Sequence, residues 1–89
     1  MSSEVPTVLV GRKPAIYYVT AVIYQFNAGS REVKLRARGR AISTAVTVAE
    51  MTKRVIPNVK VESIEIGTEM LGDPPRPVST MEILLVKEE

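Results

Sequence analysis

The 89-residue sequence predicts a single α+β domain with element order β-α-β-α-β-β, one sheet with both helices available to one face. Three observations lead there. Lys34, Arg36 and Arg38 recur at period two with Leu35 and Ala37 between them, which makes a strand with a cationic row over an apolar floor. Two stretches of helical apolar spacing, residues 15–28 and 42–55, each begin shortly after a glycine that breaks an extended run. Two further β-patterned stretches, residues 59–70 and 78–87, then follow with no helix between them.

Taken in order, residues 1–4 read as a frayed tail, and residues 5–10 as a short apolar strand with Val8 and Val10 on one side. Gly11-Arg12-Lys13-Pro14 is a turn, with Pro14 suited to the first helical position because its missing N–H is one that a helix start leaves unpaired. The first helix carries Ile16, Val19, Ile23 and Phe26 along one stripe, with Ala21, Ala28, Tyr17 and Tyr24 on a neighbouring one. Tyr17, Tyr18 and Tyr24 read as core or interface residues, with base-stacking platforms as the alternative. Gly29 ends this helix, and Ser30-Arg31 turns the chain into a strand over residues 32–38.

The second helix is stopped by Pro57, and its apolar residues (Ile42, Ala45, Val46, Val48, Ala49, Met51, Val55) are spread too widely for one sheet to bury. Part of it is therefore expected to face the first helix or a second chain. Lys53 and Arg54 complement the dipole at its C-terminal end. In residues 59–70 the apolar phase changes after Val61, which implies a bulge near Glu62 or Ser63. The last strand has Met81, Ile83 and Leu85 on one face and Leu84 and Val86 on the other, which suggests partial burial on both faces, so it is either central or covered by a neighbour. Leu71-Gly72-Asp73-Pro74-Pro75-Arg76-Pro77 forms a rigid tip, giving a protruding hairpin over residues 69–78.

Composition narrows the chemistry. With no Cys and no His, the chain cannot build disulfides, the usual zinc clusters or Ser-His and Cys-His nucleophile pairs. No cofactor or metal is expected, and an active site assembled from Lys, Tyr and Glu is disfavoured. Glu62, Glu65, Glu69 and Glu82 are expected to keep strand surfaces hydrated or to pair with cations across the sheet. The N-terminus has no basic and apolar leader pattern, and no apolar run is long enough to span a bilayer, so an intracellular protein without membrane partners is expected.

The net charge of +2 conceals an asymmetry: residues 1–45 carry seven Lys/Arg against two Glu, and residues 46–89 carry five against eight Asp/Glu. Cations also gather at two strand-to-helix junctions, Arg12-Lys13 and Arg38-Gly39-Arg40. A helix start already presents free N–H groups and partial positive charge, so added cations there favour an anionic partner. The pattern reads as a phosphate-facing edge.

Three stretches also resemble a known family. Val8-Leu9-Val10-Gly11-Arg12-Lys13-Pro14, Lys34-Leu35-Arg36-Ala37-Arg38-Gly39-Arg40-Ala41-Ile42-Ser43 and Val78-Ser79-Thr80-Met81-Glu82-Ile83 are similar, in this order and at matching intervals, to the Alba family of small archaeal chromatin proteins. The similarity runs over about residues 5–87. It implies a mixed four-stranded sheet with two helices on one face, similar to the C-terminal domain of bacterial translation initiation factor three. It also implies a dimer, homodimeric or paired with a paralogue, that binds double-stranded DNA with little sequence preference and often RNA as well.

By the same resemblance, Arg12 and Lys13 sit near the middle of the binding face, Arg38 and Arg40 contact phosphates around Gly39, and the hairpin bearing Arg76 reaches along a groove. Two departures stand out. Arg12 occupies the place where the family often has an acetylated lysine, leaving Lys13 as the modification candidate. Val55 stands near the end of the second helix where many members carry an aromatic residue that joins dimer to dimer, as in the second paralogue of some archaea.

The resulting expectation is an architectural, chromosome-associated cytoplasmic protein whose binding residues are Arg12, Lys13, Lys34, Arg36, Arg38, Gly39, Arg40 and Arg76. The alternatives are an RNA-binding subunit of a ribonucleoprotein and a protein-binding scaffold.

Overall fold

Alternation and glycine punctuation produce the expected six elements in the computed structural model, which describes residues 4–88. They are β1 (Thr7–Leu9), α1 (Ala15–Asn27), β2 (Glu32–Arg38), α2 (Ala41–Val55), β3 (Val59–Leu71) and β4 (Arg76–Lys87). The frayed tail expected over residues 1–4 lies, apart from the exposed Glu4, outside the described residues.

The strands form one mixed sheet in the order β1-β2-β4-β3, with β1 and β2 parallel and the other pairs antiparallel. The parallel pair is extended at both ends, by Lys34 N–H to Pro6 O at 2.9 Å and Val10 N–H to Arg36 O at 2.8 Å. β4 is central, one of the two placements that its two-sided apolar pattern allows. The bulge falls between Val61 and Ser63, where Glu62 has no opposite residue, and it restores Ile64 and Ile66 to the face that Val59 and Val61 occupy.

Val33, Leu35 and Ala37 of β2 and Ile83 and Leu85 of β4 are buried beneath the helices. From α1 the core receives Tyr18, Val19, Val22 and Phe26, and from α2 it receives Ala45, Val48, Ala49 and Thr52. Among the described residues Thr52 is the buried polar side chain, and its hydroxyl donates to Val48 O at 2.8 Å. α1 ends in a Schellman turn at Gly29 (φ 108°), whose N–H reaches Phe26 O while Ser30 N–H reaches Gln25 O.

Three expectations are corrected. Pro14 is the residue before α1, extended at ψ 150°, rather than its first helical residue. The core stripe of α1 is rotated from the expected one, so that Val22 is fully buried and Ile16 is 57% exposed. Val19 and Phe26 of the expected stripe stay buried, and packing against α2 and the sheet brings in Tyr18 and Val22, which lie on neither expected stripe, in place of Ile16.

β4 begins two residues before the expected strand, at Arg76, and includes Pro77. β2 ends opposite Thr80, so Pro77 lies where β4 has only β3 beside it and fewer of its N–H groups need a ladder partner. That outer ribbon closes through residues 72–75, with a cis Asp73–Pro74 peptide.

At the opposite end of β3, Lys60 pairs with Glu88 at 2.9 Å and Glu62 at 3.6 Å, and the Asn58 amide donates to Glu88 O. The hydrogen bond and charge of Glu88, then the charge of Glu62, raise the pKa of Lys60 above the usual lysine value.

Candidate functional site

The open face of the sheet is built from the alternate residues of β2 and β4 that the core leaves out. Lys34, Arg36 and Arg38 lie opposite Leu84, Glu82 and Thr80 on β4, all turned away from the helices. Beyond Arg38 the chain turns at Gly39 (φ 58°), whose N–H donates to Ser79 O at 2.8 Å, and α2 starts at once with Arg40 at its N-cap. A Cβ at Gly39 would meet Val78 Cγ1 at 3.7 Å, an ordinary contact. Backbone strain in the left-handed region is therefore what excludes a larger residue. Gly39→Ala is expected to lower stability by about 1 kcal/mol, read as a reduced melting temperature.

The β1–α1 loop brings the second junction alongside. Tyr18 is buried, and its hydroxyl accepts a hydrogen bond from Lys13 N–H at 3.1 Å, fixing the loop that carries Arg12 and Lys13. The Lys13 ammonium lies 4.2 Å from the centroid of the exposed Tyr17 ring, a cation–π contact. Neither helix start has a side-chain cap or an acid in its first turn, so both present backbone donors and unopposed partial positive charge.

These pieces meet around an open groove of about 1180 Å³. Arg12, Arg36, Arg38, Arg40 and Arg76 all line it, drawn from the β1–α1 loop, β2, the start of α2 and the hairpin. Lys13, Lys34 and Gly39 lie outside its lining, Gly39 serving as the turn that places Arg38 and Arg40.

The groove also contains acids that sequence reasoning did not assign to the site: Glu65, Glu69 and Glu82. Glu82 pairs with Arg36 at 3.0 Å and Lys34 at 3.6 Å, and Glu69 with Arg38 at 3.4 Å and Arg36 at 3.7 Å. The pairing across the sheet expected for these acids is thus present for Glu69 and Glu82. Among the described residues Arg12, Arg40 and Arg76 have no carboxylate within ion-pair distance. The acids were legible as period-two members of β3 and β4, but only strand order and register show that they share a face with the arginines.

Exposed apolar side chains also occur, and two of them, Leu9 and Ile66, line the groove. Val46 and Val55 of α2 and Ile64, Ile66 and Met70 of β3 all face solvent in the single chain, Ile66 being 80% exposed. The apolar surface that a single sheet was not expected to bury on α2 is indeed left partly open. Among the described residues no group of three or more His, Cys, Asp or Glu could hold a metal ion, and no helix is long and apolar enough to cross a membrane.

Comparison with known proteins gives consistent matches. The family model described as Alba matches residues 6–68. The DNA/RNA-binding protein Alba 1 of Archaeoglobus fulgidus is 49% identical over 85 residues, spanning 92% of this chain and 96% of its own. The DNA/RNA-binding protein Alba of Methanothrix thermoacetophila is 48% identical over 88 residues, spanning 96% and 99%. Among solved structures, Alba from Thermoplasma volcanium aligns with a TM-score of 0.86 at 43% identity, covering 91% of this chain and 99% of that one. ALBA1 from Trypanosoma brucei aligns with a TM-score of 0.81 at 28% identity, covering 99% of this chain and 74% of that one.

Proposed function

The chain belongs to the Alba family, and on that premise we propose that it is a dimeric architectural protein that coats double-stranded DNA through phosphate contacts, without strong sequence preference. The observation that carries this reading is the convergence of five arginines from four parts of the chain on one groove. Two uncapped helix starts beside it supply further donors to phosphate oxygens. Arg12, Arg40 and Arg76 are ready for phosphates as they stand, and Arg36 and Arg38 once their carboxylate partners release them. Lys13 and Lys34 add charge at the margins, and the hairpin over residues 69–78 extends the footprint along a groove of the duplex.

RNA is the second reading, favoured by relatives named as DNA/RNA-binding proteins. Lys13 is the modification candidate: acetylation would remove its charge and its contact with Tyr17. Association with the chromosome in the cytoplasm follows from the same reading.

The test is fluorescence anisotropy on one random-sequence DNA duplex and its matching RNA duplex across a range of salt. A phosphate-driven face produces a log–log slope of about −0.9 per phosphate neutralised on DNA, and the tighter ligand identifies the cellular class. Binding that is absent at low salt, or indifferent to salt, would return the protein to the scaffold reading.

Dimerisation is assigned to the apolar surface of α2 and β3, with a second copy of this chain or a paralogue as the partner. Replacing Ile64 and Ile66 together by Glu is expected to give a monomer at micromolar concentration by sedimentation, where the wild type sediments as a dimer.

A further inference from the structure

Five charges cross the open face of the sheet in alternating sign: Lys34, Glu82, Arg36, Glu69 and Arg38, each within ion-pair distance of the next. Resting on the polyanion-binding reading, we propose that Glu69 and Glu82 are internal counter-ions, which occupy these cations in the free protein and must yield them to an incoming phosphate backbone. The two carboxylates therefore set how tightly the groove holds a polyanion.

The positions support a role in binding more than one in folding. All five side chains remain substantially solvent-accessible, and exposed ion pairs of this kind add little to stability. Glu82 also stands directly opposite Glu65 in the β3–β4 register, a like-charge neighbour that sheets ordinarily disfavour. Arg36 bridges the two counter-ions, with Nε 3.0 Å from Glu82 Oε2 and Nη2 3.7 Å from Glu69 Oε2, so its guanidinium is engaged by both carboxylates. A phosphate can compete for the same donors, because guanidinium forms charge-assisted hydrogen bonds with either oxyanion.

Displacement also has a salt signature. A carboxylate that loses its arginine recruits a cation from solution, which subtracts from the counterions released by the nucleic acid. The groove should therefore show a shallower salt dependence than its number of arginines implies.

The experiment compares Glu69→Gln and Glu82→Gln with wild type on the DNA duplex at several salt concentrations. Glu50→Gln is the control, since Glu50 is exposed on α2, outside the groove, and its substitution changes net charge by the same amount. Melting temperatures establish that all variants are folded.

The expected result is that each groove variant binds about three- to tenfold tighter at low salt, with a log–log slope steeper by up to about one, while Glu50→Gln changes little. Groove variants that bind no tighter than Glu50→Gln, or more weakly than wild type, overturn the proposal. Weaker binding would make the glutamates positioning residues for Arg36 and Arg38 instead. Wild-type protein and variants that all fail to bind at low salt overturn the polyanion reading together with this one, an outcome distinct from intact binding that the substitutions do not change.

Discussion

Alanine at both Arg38 and Arg40 is expected to weaken duplex binding roughly 10- to 100-fold at low salt and to flatten the log–log salt slope by about one to two per chain, less than two because Arg38 is released by Glu69 on binding, with little change in melting temperature. Both side chains are exposed, so the fold loses at most the Arg38–Glu69 pair. The two arginines are not equivalent. Removing Arg38 also leaves Glu69 with Arg36 as its remaining partner, which brings a less neutralised carboxylate to the groove. Arg40 has no carboxylate partner among the described residues, so Arg40→Ala alone isolates the loss of a phosphate contact.

Lys53→Ala with Arg54→Ala is the matched control, removing the same charge from the last turn of α2. At 1.5 Å per residue that turn lies about 20 Å from the helix start that borders the groove. A double variant of Arg38 and Arg40 that is folded and binds like wild type would overturn the site assignment. If the control loses as much affinity, binding follows net charge rather than this groove.

Leu35→Ala is expected to cost about 3 kcal/mol of stability and to lower the melting temperature by more than 10 °C. Leu35 is 0% exposed, flanked in the sheet by Val8 and Ile83 and covered by the helices. The loss is a large share of the roughly 4–13 kcal/mol available to a domain of this size. Arg36→Ala, one residue along on the opposite face, should change the melting temperature by only a few degrees while weakening binding. Chemical denaturation of the two variants at equal protein concentration checks the contrast, the equal concentration being necessary if folding is linked to dimerisation. Similar destabilisation by both would mean that the paired charges of the open face contribute to folding far more than exposed ion pairs ordinarily do.

Period-two alternation made the limits of β2 legible to the residue, because both of its faces carry strong and opposite patterns. The start of α2 lay within one residue of the expected position, since a left-handed glycine leaves few alternatives for the backbone. The end of α1 at Gly29 and the bulge at Glu62 were readable for similar local reasons. The rotation of α1 was not. Ile16 and Val22 are both apolar, and which of them is buried depends on what lies across the interface. The extension of β4 through Pro77 was hidden too, because proline is tolerated there only where β2 has already ended.

The candidate site divides along the same line. The amino-acid order by itself determined that Arg36 and Arg38 share one face of a strand and that Arg12 and Arg40 stand at helix starts, because dihedral periodicity and glycine geometry act over a few residues. Only the tertiary structure decided that Arg76 joins them in one groove and that Glu69 and Glu82 neutralise part of it. Those juxtapositions depend on strand order and register between segments more than thirty residues apart, and the packing of the whole sheet sets both.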